Sequence, residues 1–294
     1  MKTLKKNYYV LITMVFMFWN ISLSCSRKTI INNSGHNEYI SILSPIDTFS
    51  FSSPIFKFCH ASNNAILAID VGLEKIYRIN IYDVNINGNL VINIDTIVLP
   101  QKFKFLKGII ADNFYIYGYS ENMIFQYDLI THKIMTKFNN NKIKIRNLAL
   151  TVEGEIYILD DFNQQIFYID NLGGINKFNI TASNLFMPID LTYDIQDNAL
   201  LIMNKARNSI ESYSKIGNRQ SIIKLPNQYF TNLKVSKDKI YIWQNNDHFL
   251  YRTTKKENTW QGFYIDKPIT DFTVLDNLLF VLSGFSKIYI YQLP

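Results

Sequence analysis

The sequence predicts an all-β fold, a six-bladed β-propeller with four-stranded antiparallel blades, and three observations carry that prediction. Apolar strands recur six times at a spacing of about 43 residues, each recurring strand is apolar on both faces, and helical periodicity is absent after residue 24. Composition agrees: 21 Phe and 19 Tyr accompany abundant Ile, and β-branched and aromatic side chains suit pleated, buried strands.

The recurring strands begin at Ile66, Phe114, Ile156, Leu200, Ile240 and Leu278, at intervals of 48, 42, 44, 40 and 38 residues. Ten residues after each start a second strand opens, at Ile76, Ile124, Ile166, Ile210, Leu250 and Ile288. Two residues before each start stands a turn former: Asn64, Asp112, Gly154, Asn198, Asp238 and Asp276. These residue types close tight hairpins because they tolerate left-handed backbone angles. In the strand Ile156–Leu159, Ile156 and Ile158 face one way, Tyr157 and Leu159 the other. A sheet with one wet face would alternate polar and apolar residues, whereas a blade packed between two neighbours hides both faces. The chain stops at Pro294, just after the third strand of the sixth unit, so the last blade needs an outer strand from elsewhere. The expected donor is Glu38–Leu43, an N-terminal strand that completes the last blade and closes the ring.

Ahead of the propeller (38–294), two segments have other roles. Residues 1–24 read as a lipoprotein signal peptide: Lys2, Lys5 and Lys6 precede the apolar run Val10–Trp19, which is too short to span a bilayer. Ile21-Ser22-Leu23-Ser24-Cys25 resembles a bacterial lipobox, which makes Cys25 the expected lipidation site and the membrane the expected anchor. Residues 25–37 are polar and unpatterned and read as a flexible tether. Three of the six net positive charges belong to Lys2, Lys5 and Lys6, leaving +3 scattered along the remainder. A nucleic-acid surface needs a clustered patch, so that class is excluded.

The third unit carries a family likeness. Gly154-Glu-Ile-Tyr-Ile-Leu-Asp160-Asp-Phe-Asn163-Gln-Gln-Ile166-Phe-Tyr-Ile-Asp170 resembles an NHL-type repeat, and Asp112–Asp128 echoes it. The chain as a whole is similar to NHL-like and TolB-like six-bladed propeller lipoproteins. The likeness implies the fold and a place in the cell envelope, at the outer membrane; fold alone licenses no reaction.

Enzymes of this architecture place metal ligands in the central tunnel. Of the four histidines, His36 lies in the tether and His132 in an outer turn, so only His60 and His248 are expected near the tunnel mouth. Cys59 and His60 are strand neighbours facing opposite ways and would not share one metal. The innermost strands open with a polar residue before an apolar one at Asn147, Asp190, Asn232 and Asp271. Lys107 is expected at the like place in unit two, with His60 in unit one. This ring offers two carboxylates and two amides, oxygen ligands of the kind that suit Ca²⁺; the competing reading is a hydrated tunnel. The loops after the second strands offer Asp161, Asn163, Arg207, Asp247 and Phe285 as a candidate binding face. Trp243 aligns with Ile69, Tyr117, Leu159, Met203 and Val281 and is expected in the core, while Trp260 is expected to be partly exposed. The favoured function is a non-catalytic binding or scaffolding module for a protein, peptide or glycan. The alternative is a metal-dependent hydrolase or lactonase using the tunnel.

Overall fold

The computed structural model describes residues 28–30, 39–51, 54–61, 65–70, 75–84, 90–103, 105–180, 186–227, 229–255 and 259–294. The signal segment and Cys25 lie outside the described residues. So does most of the expected tether, but Lys28–Ile30 forms a strand within it.

Six sheets form the ring. Blade one contains Ile55–Ala61, Ala65–Asp70, Lys75–Val84 and Leu90–Val98 in that spatial order. Blades two, three and four begin with inner strands Gly108–Ala111, Ile145–Leu150 and Pro188–Asp194, and each runs outward through three further antiparallel strands. Blade five begins at Asn232–Ser236. Blade six contains Asp271–Leu275, Leu278–Ser283 and Lys287–Gln292. Among the described residues the only helical pieces are two 3-10 turns, Gln101–Phe103 and Lys205–Arg207.

The second strands of the blades are deeply enclosed. Every residue of Ala65–Asp70, Ile156–Asp160 and Ala199–Asn204 is buried. An apolar cluster fills each of the six seams between neighbouring blades. Neither face of a blade can be hidden by that blade alone, so radial stacking is what removes this surface from water. Trp243 belongs to the seam between blades five and six, its ring 4.6 Å from that of Phe272. Trp260, expected to be partly exposed, is buried, and its indole N–H donates to the carbonyl of Lys224 at 2.9 Å.

Ring closure uses an N-terminal strand, but not the expected one. Pro45–Ser50 pairs antiparallel with Lys287–Gln292 and completes blade six. Tyr39–Leu43 instead pairs parallel with Gln261–Ile269 at the outer edge of blade five and is covered in turn by Lys28–Ile30. The side chains explain the choice. Leu43 and Ile40 are buried, Leu43 in the cluster between blades five and six, whereas Pro45–Ser50 is mostly exposed, as an outermost strand must be. Pro45 occupies the first position of its strand, where proline is tolerated.

Of the expected turn residues, Asn64 lies outside the described residues and three of the other five adopt the left-handed conformation. Gly154, Asn198 and Asp276 have positive φ, but in blade five that conformation falls on Lys237 rather than Asp238. Asp112 holds its hairpin differently: its Oδ1 accepts the N–H groups of Phe114 and Tyr115, both at 2.7 Å.

Candidate functional site

Six register-equivalent positions at the start of the inner strands surround one mouth of the tunnel. They are Lys57, Gly108, Asn147, Asp190, Asn232 and Asp271, each paired to the strand behind it in the same place. In blades one, three and four the ladder slips just before this position, at Ile55/Lys57, Ile145/Asn147 and Pro188/Asp190. Such bulges re-aim the side chain that follows.

The structure places Asn147, Asp190, Asn232 and Asp271 at this register and puts Gly108 and Lys57 where Lys107 and His60 were expected. Lys107 lies one residue too early; Gly108 holds the position, and the ring of Tyr119 fills the space that a side chain would take. A Cβ on Gly108 would stand 2.3 Å from Tyr119 Oη. In blade one the position belongs to Lys57. His60 pairs with Ile66, three residues further along, and its side chain lies outside the described residues.

The ring is a chain of hydrogen bonds from blade to blade. The Tyr119 hydroxyl donates to Asn147 Oδ1 at 3.0 Å, and Asn147 Nδ2 donates to Asp190 Oδ1 at 2.5 Å. Asp190 Oδ1 also accepts the N–H of Leu191, while Oδ2 accepts the N–H of Leu233 in the next blade at 2.7 Å. Asp271 repeats the scheme across the closing seam, accepting from Phe272 at 2.8 Å and from Phe58 of blade one at 2.7 Å. Lys234 supplies the remaining partner: its ammonium lies 2.7 Å from Asp271 Oδ1 and also donates to the carbonyls of Phe272 and Phe58. Asn232 stays at the rim, bonded to Thr231 and Asn245.

Inside this ring is a cavity of about 250 Å³. Lys57, Cys59, Lys234, Asp190, Asp271 and Trp243 contribute to its walls. Burial pushes the Asp190 carboxyl above its usual range, opposed by the Asn147 amide, Lys57 and the two backbone donors. The Cys59 thiol is raised by burial to about 12, so it is a neutral thiol. Lys57 is shifted upward by Tyr119, with Asp271 and Asp190 adding and burial opposing.

The other expected ligands lie away from the cavity. His132 sits in an outer turn against the Tyr127 hydroxyl at 2.8 Å. His248, expected near the mouth, instead lies on the outer half of blade five, with Nδ1 2.8 Å from the carbonyl of Ile265 and its ring stacked on Tyr264. Among the described residues no group of three or more His, Cys, Asp or Glu side chains converges.

The loops after the second strands and those entering the inner strands gather on the same face as the ring. Asp161 pairs there with Arg146 at 2.8 Å, and Asn163 donates to Asp160 at 2.6 Å. Asp247 accepts the N–H of His248. Arg207 is committed to the fold: it pairs with Glu211, a fully buried carboxylate that also accepts from Asn204 and Tyr213. Burial would raise that carboxyl, but Tyr213, Asn204, Arg207 and Arg219 together hold it below the usual range. Phe285 is 46% exposed and has company that the sequence reading missed: Phe105 at 85%, Phe162 at 79% and Tyr229 at 72%. The opposite face carries mainly aliphatic turn residues, among them Ile130, Leu172 and Ile216.

No family model matches this chain, and no curated protein matches its sequence. Its fold does match solved propellers. A selenomethionine-substituted virginiamycin B lyase from Staphylococcus aureus is 13% identical at a TM-score of 0.59, covering 84% of this chain and 99% of that one. YCF48 bound to D1 peptide is 11% identical at 0.58, covering 90% and 100%. A putative gluconolactonase is 10% identical at 0.57, covering 91% and 98%. At these identities the likeness establishes the fold, which binding proteins and enzymes share.

Proposed function

We propose that this protein is a non-catalytic binding module of the cell envelope, tethered by lipid on Cys25, that engages a protein or peptide through the loop face of its propeller. One observation carries the reading: Phe105, Phe162, Tyr229 and Phe285 stand exposed in loops of the face on which the tunnel ring lies. Large aromatic side chains left in water cost hydration free energy, and they are enriched where proteins meet partners. The ring chemistry supports it. The oxygens of Asp190 and Asp271 hold backbone N–H groups of adjacent blades, which is a fastening role. The peptide-bound state of YCF48, a propeller of the same fold, shows that this architecture can present a peptide site. In this reading the tunnel takes no Ca²⁺.

The test is site-specific photo-crosslinking in envelope extracts. A photoreactive residue at Phe162 or Phe285 is expected to give a discrete adduct, and one at Leu172 or Ile216 none. Adducts only from Leu172 and Ile216 would move the interface to the other face and sink the proposal. Metal analysis of the purified chain is a second check. A stoichiometric Ca²⁺ that disappears in the Asp190→Asn, Asp271→Asn double variant would favour a tunnel hydrolase instead.

A further inference from the structure

Four charged side chains reach the central cavity, and three are fully engaged. Lys234 has three N–H groups and three acceptors. Asp190 and Asp271 each accept one side-chain and two backbone donors. Lys57 differs. Its ammonium has no hydrogen-bond or ion-pair partner among the described residues, although it lies deep in the ring and its remaining surface opens onto the cavity. A second unmatched donor belongs to the same lining: Trp243 Nε1 is buried without an acceptor. Donors held away from water without an acceptor are costly, so a cavity that keeps two is suited to something that brings the acceptor with it.

We infer that the tunnel binds a singly charged aliphatic carboxylate, with its oxygens on Lys57 and its apolar end among Ala149, Leu150, Val235 and Val274. This deepens the binding reading above and rests on it for the direction of approach, through the loop face. The charge follows from the ring. Lys57 and Lys234 balance Asp190 and Asp271, but Lys57 alone has no acceptor, so a single carboxylate meets a free charged donor, whereas a dianion such as phosphate would meet the like charge of both Asp. The size follows from the volume of about 250 Å³, below that of a drug-sized site. The tail follows from the apolar residues further along the tunnel. A free short-chain acid and the carboxyl-terminal residue of a peptide both present this chemistry.

Calorimetric titration of the purified chain tests the inference. The probes are sodium butyrate, neutral butyramide, inorganic phosphate at matched ionic strength, and the tripeptide Gly-Gly-Val with a free or an amidated carboxyl terminus. Saturable binding is expected for butyrate or the free-acid tripeptide, and none for butyramide, the amidated tripeptide or phosphate. Which of the two binds identifies the source of the carboxylate. Lys57→Met is expected to weaken binding at least about tenfold, and Lys57→Arg to retain most of it. Lys57→Met breaks no hydrogen bond within the protein, so a cooperative melt close to that of the parent chain separates lost binding from lost fold. No saturable binding of either carboxylate, equal binding of phosphate, or unchanged affinity in Lys57→Met overturns the inference. The two proposals fail separately: absent carboxylate binding with intact loop-face crosslinks removes the tunnel site alone, and the converse removes only the face.

Discussion

Blades three to five and blades five, six and one fasten their inner strands with the same geometry and different chemistry. On the first side Asp190 accepts its own neighbour's N–H and that of the next blade, and the third donor is the neutral amide of Asn147. On the second side Asp271 does the same two jobs, and the third donor is the ammonium of Lys234. The clamp that reaches from blade five through blade six to blade one is therefore the one that includes an ammonium. A carboxyl group at this register acts as a clamp between blades, and what varies is the side-chain donor it takes, an amide at Asp190 and an ammonium at Asp271.

Removing the clamp on the charged side should have the largest effect. Asp271→Ala leaves Lys234 without its carboxylate and two N–H groups without acceptors, and should lower stability by about 3–5 kcal/mol. Urea melts measure this, and adding Lys234→Met should recover part of the loss. Full additivity of the two changes would show that the pair does not act as one unit.

On the neutral side, Asp190→Ala leaves the Leu191 and Leu233 N–H groups and the Asn147 amide short of an acceptor, at about 2 kcal/mol. Asp190 also gives a pH signature. Its folded carboxyl keeps its proton to higher pH than the unfolded one, which titrates near 3.9. Its contribution is fully present below about pH 4 and is lost as pH rises through the folded value. Asp190→Asn should flatten that part of the stability curve, and an unchanged slope above about pH 4 would show that the carboxyl is not raised.

The smallest structural effect is expected where the ring has no polar member. Gly108→Ala puts a methyl against Tyr119, which is fully buried and has no room to retreat, at about 1–2 kcal/mol. Tyr119→Phe should not relieve the loss, because Cζ and Cε1 of the ring stand 2.4 and 2.5 Å from the same Cβ, whereas Tyr119→Ala should.

The repeat, the sixfold count and four of the ring positions were legible because they depend on local pattern. Asn147, Asp190, Asn232 and Asp271 each precede an apolar residue at the start of a buried strand, and register places them together. Blades one and two broke the rule for separate reasons. Lys57 sits after a bulge and before Phe58, within a strand whose Cys59-His60 pair drew attention to the wrong residue. Gly108 has no side chain to notice, and the group in its place, Tyr119, comes from the neighbouring strand. Lys234 is two residues beyond Asn232 and reads as an ordinary strand lysine until Asp271 is brought beside it. The closing strand was misassigned because both Tyr39–Leu43 and Pro45–Ser50 have strand character. Only the deep groove between blades five and six, which takes Leu43, separates them.

The sequence by itself determined that this chain builds six β units and stacks them in a ring, since strands apolar on both sides have no other way to leave water. Tertiary structure decided which outer strand seals that ring, which carboxylates clamp which blades, and which cation is left facing the cavity. Those outcomes depend on contacts between residues far apart in the chain, 43 positions for Asp190 and Leu233 and 213 for Asp271 and Phe58, where the partner of a charge is set by the closure of the ring and not by its neighbours in the chain.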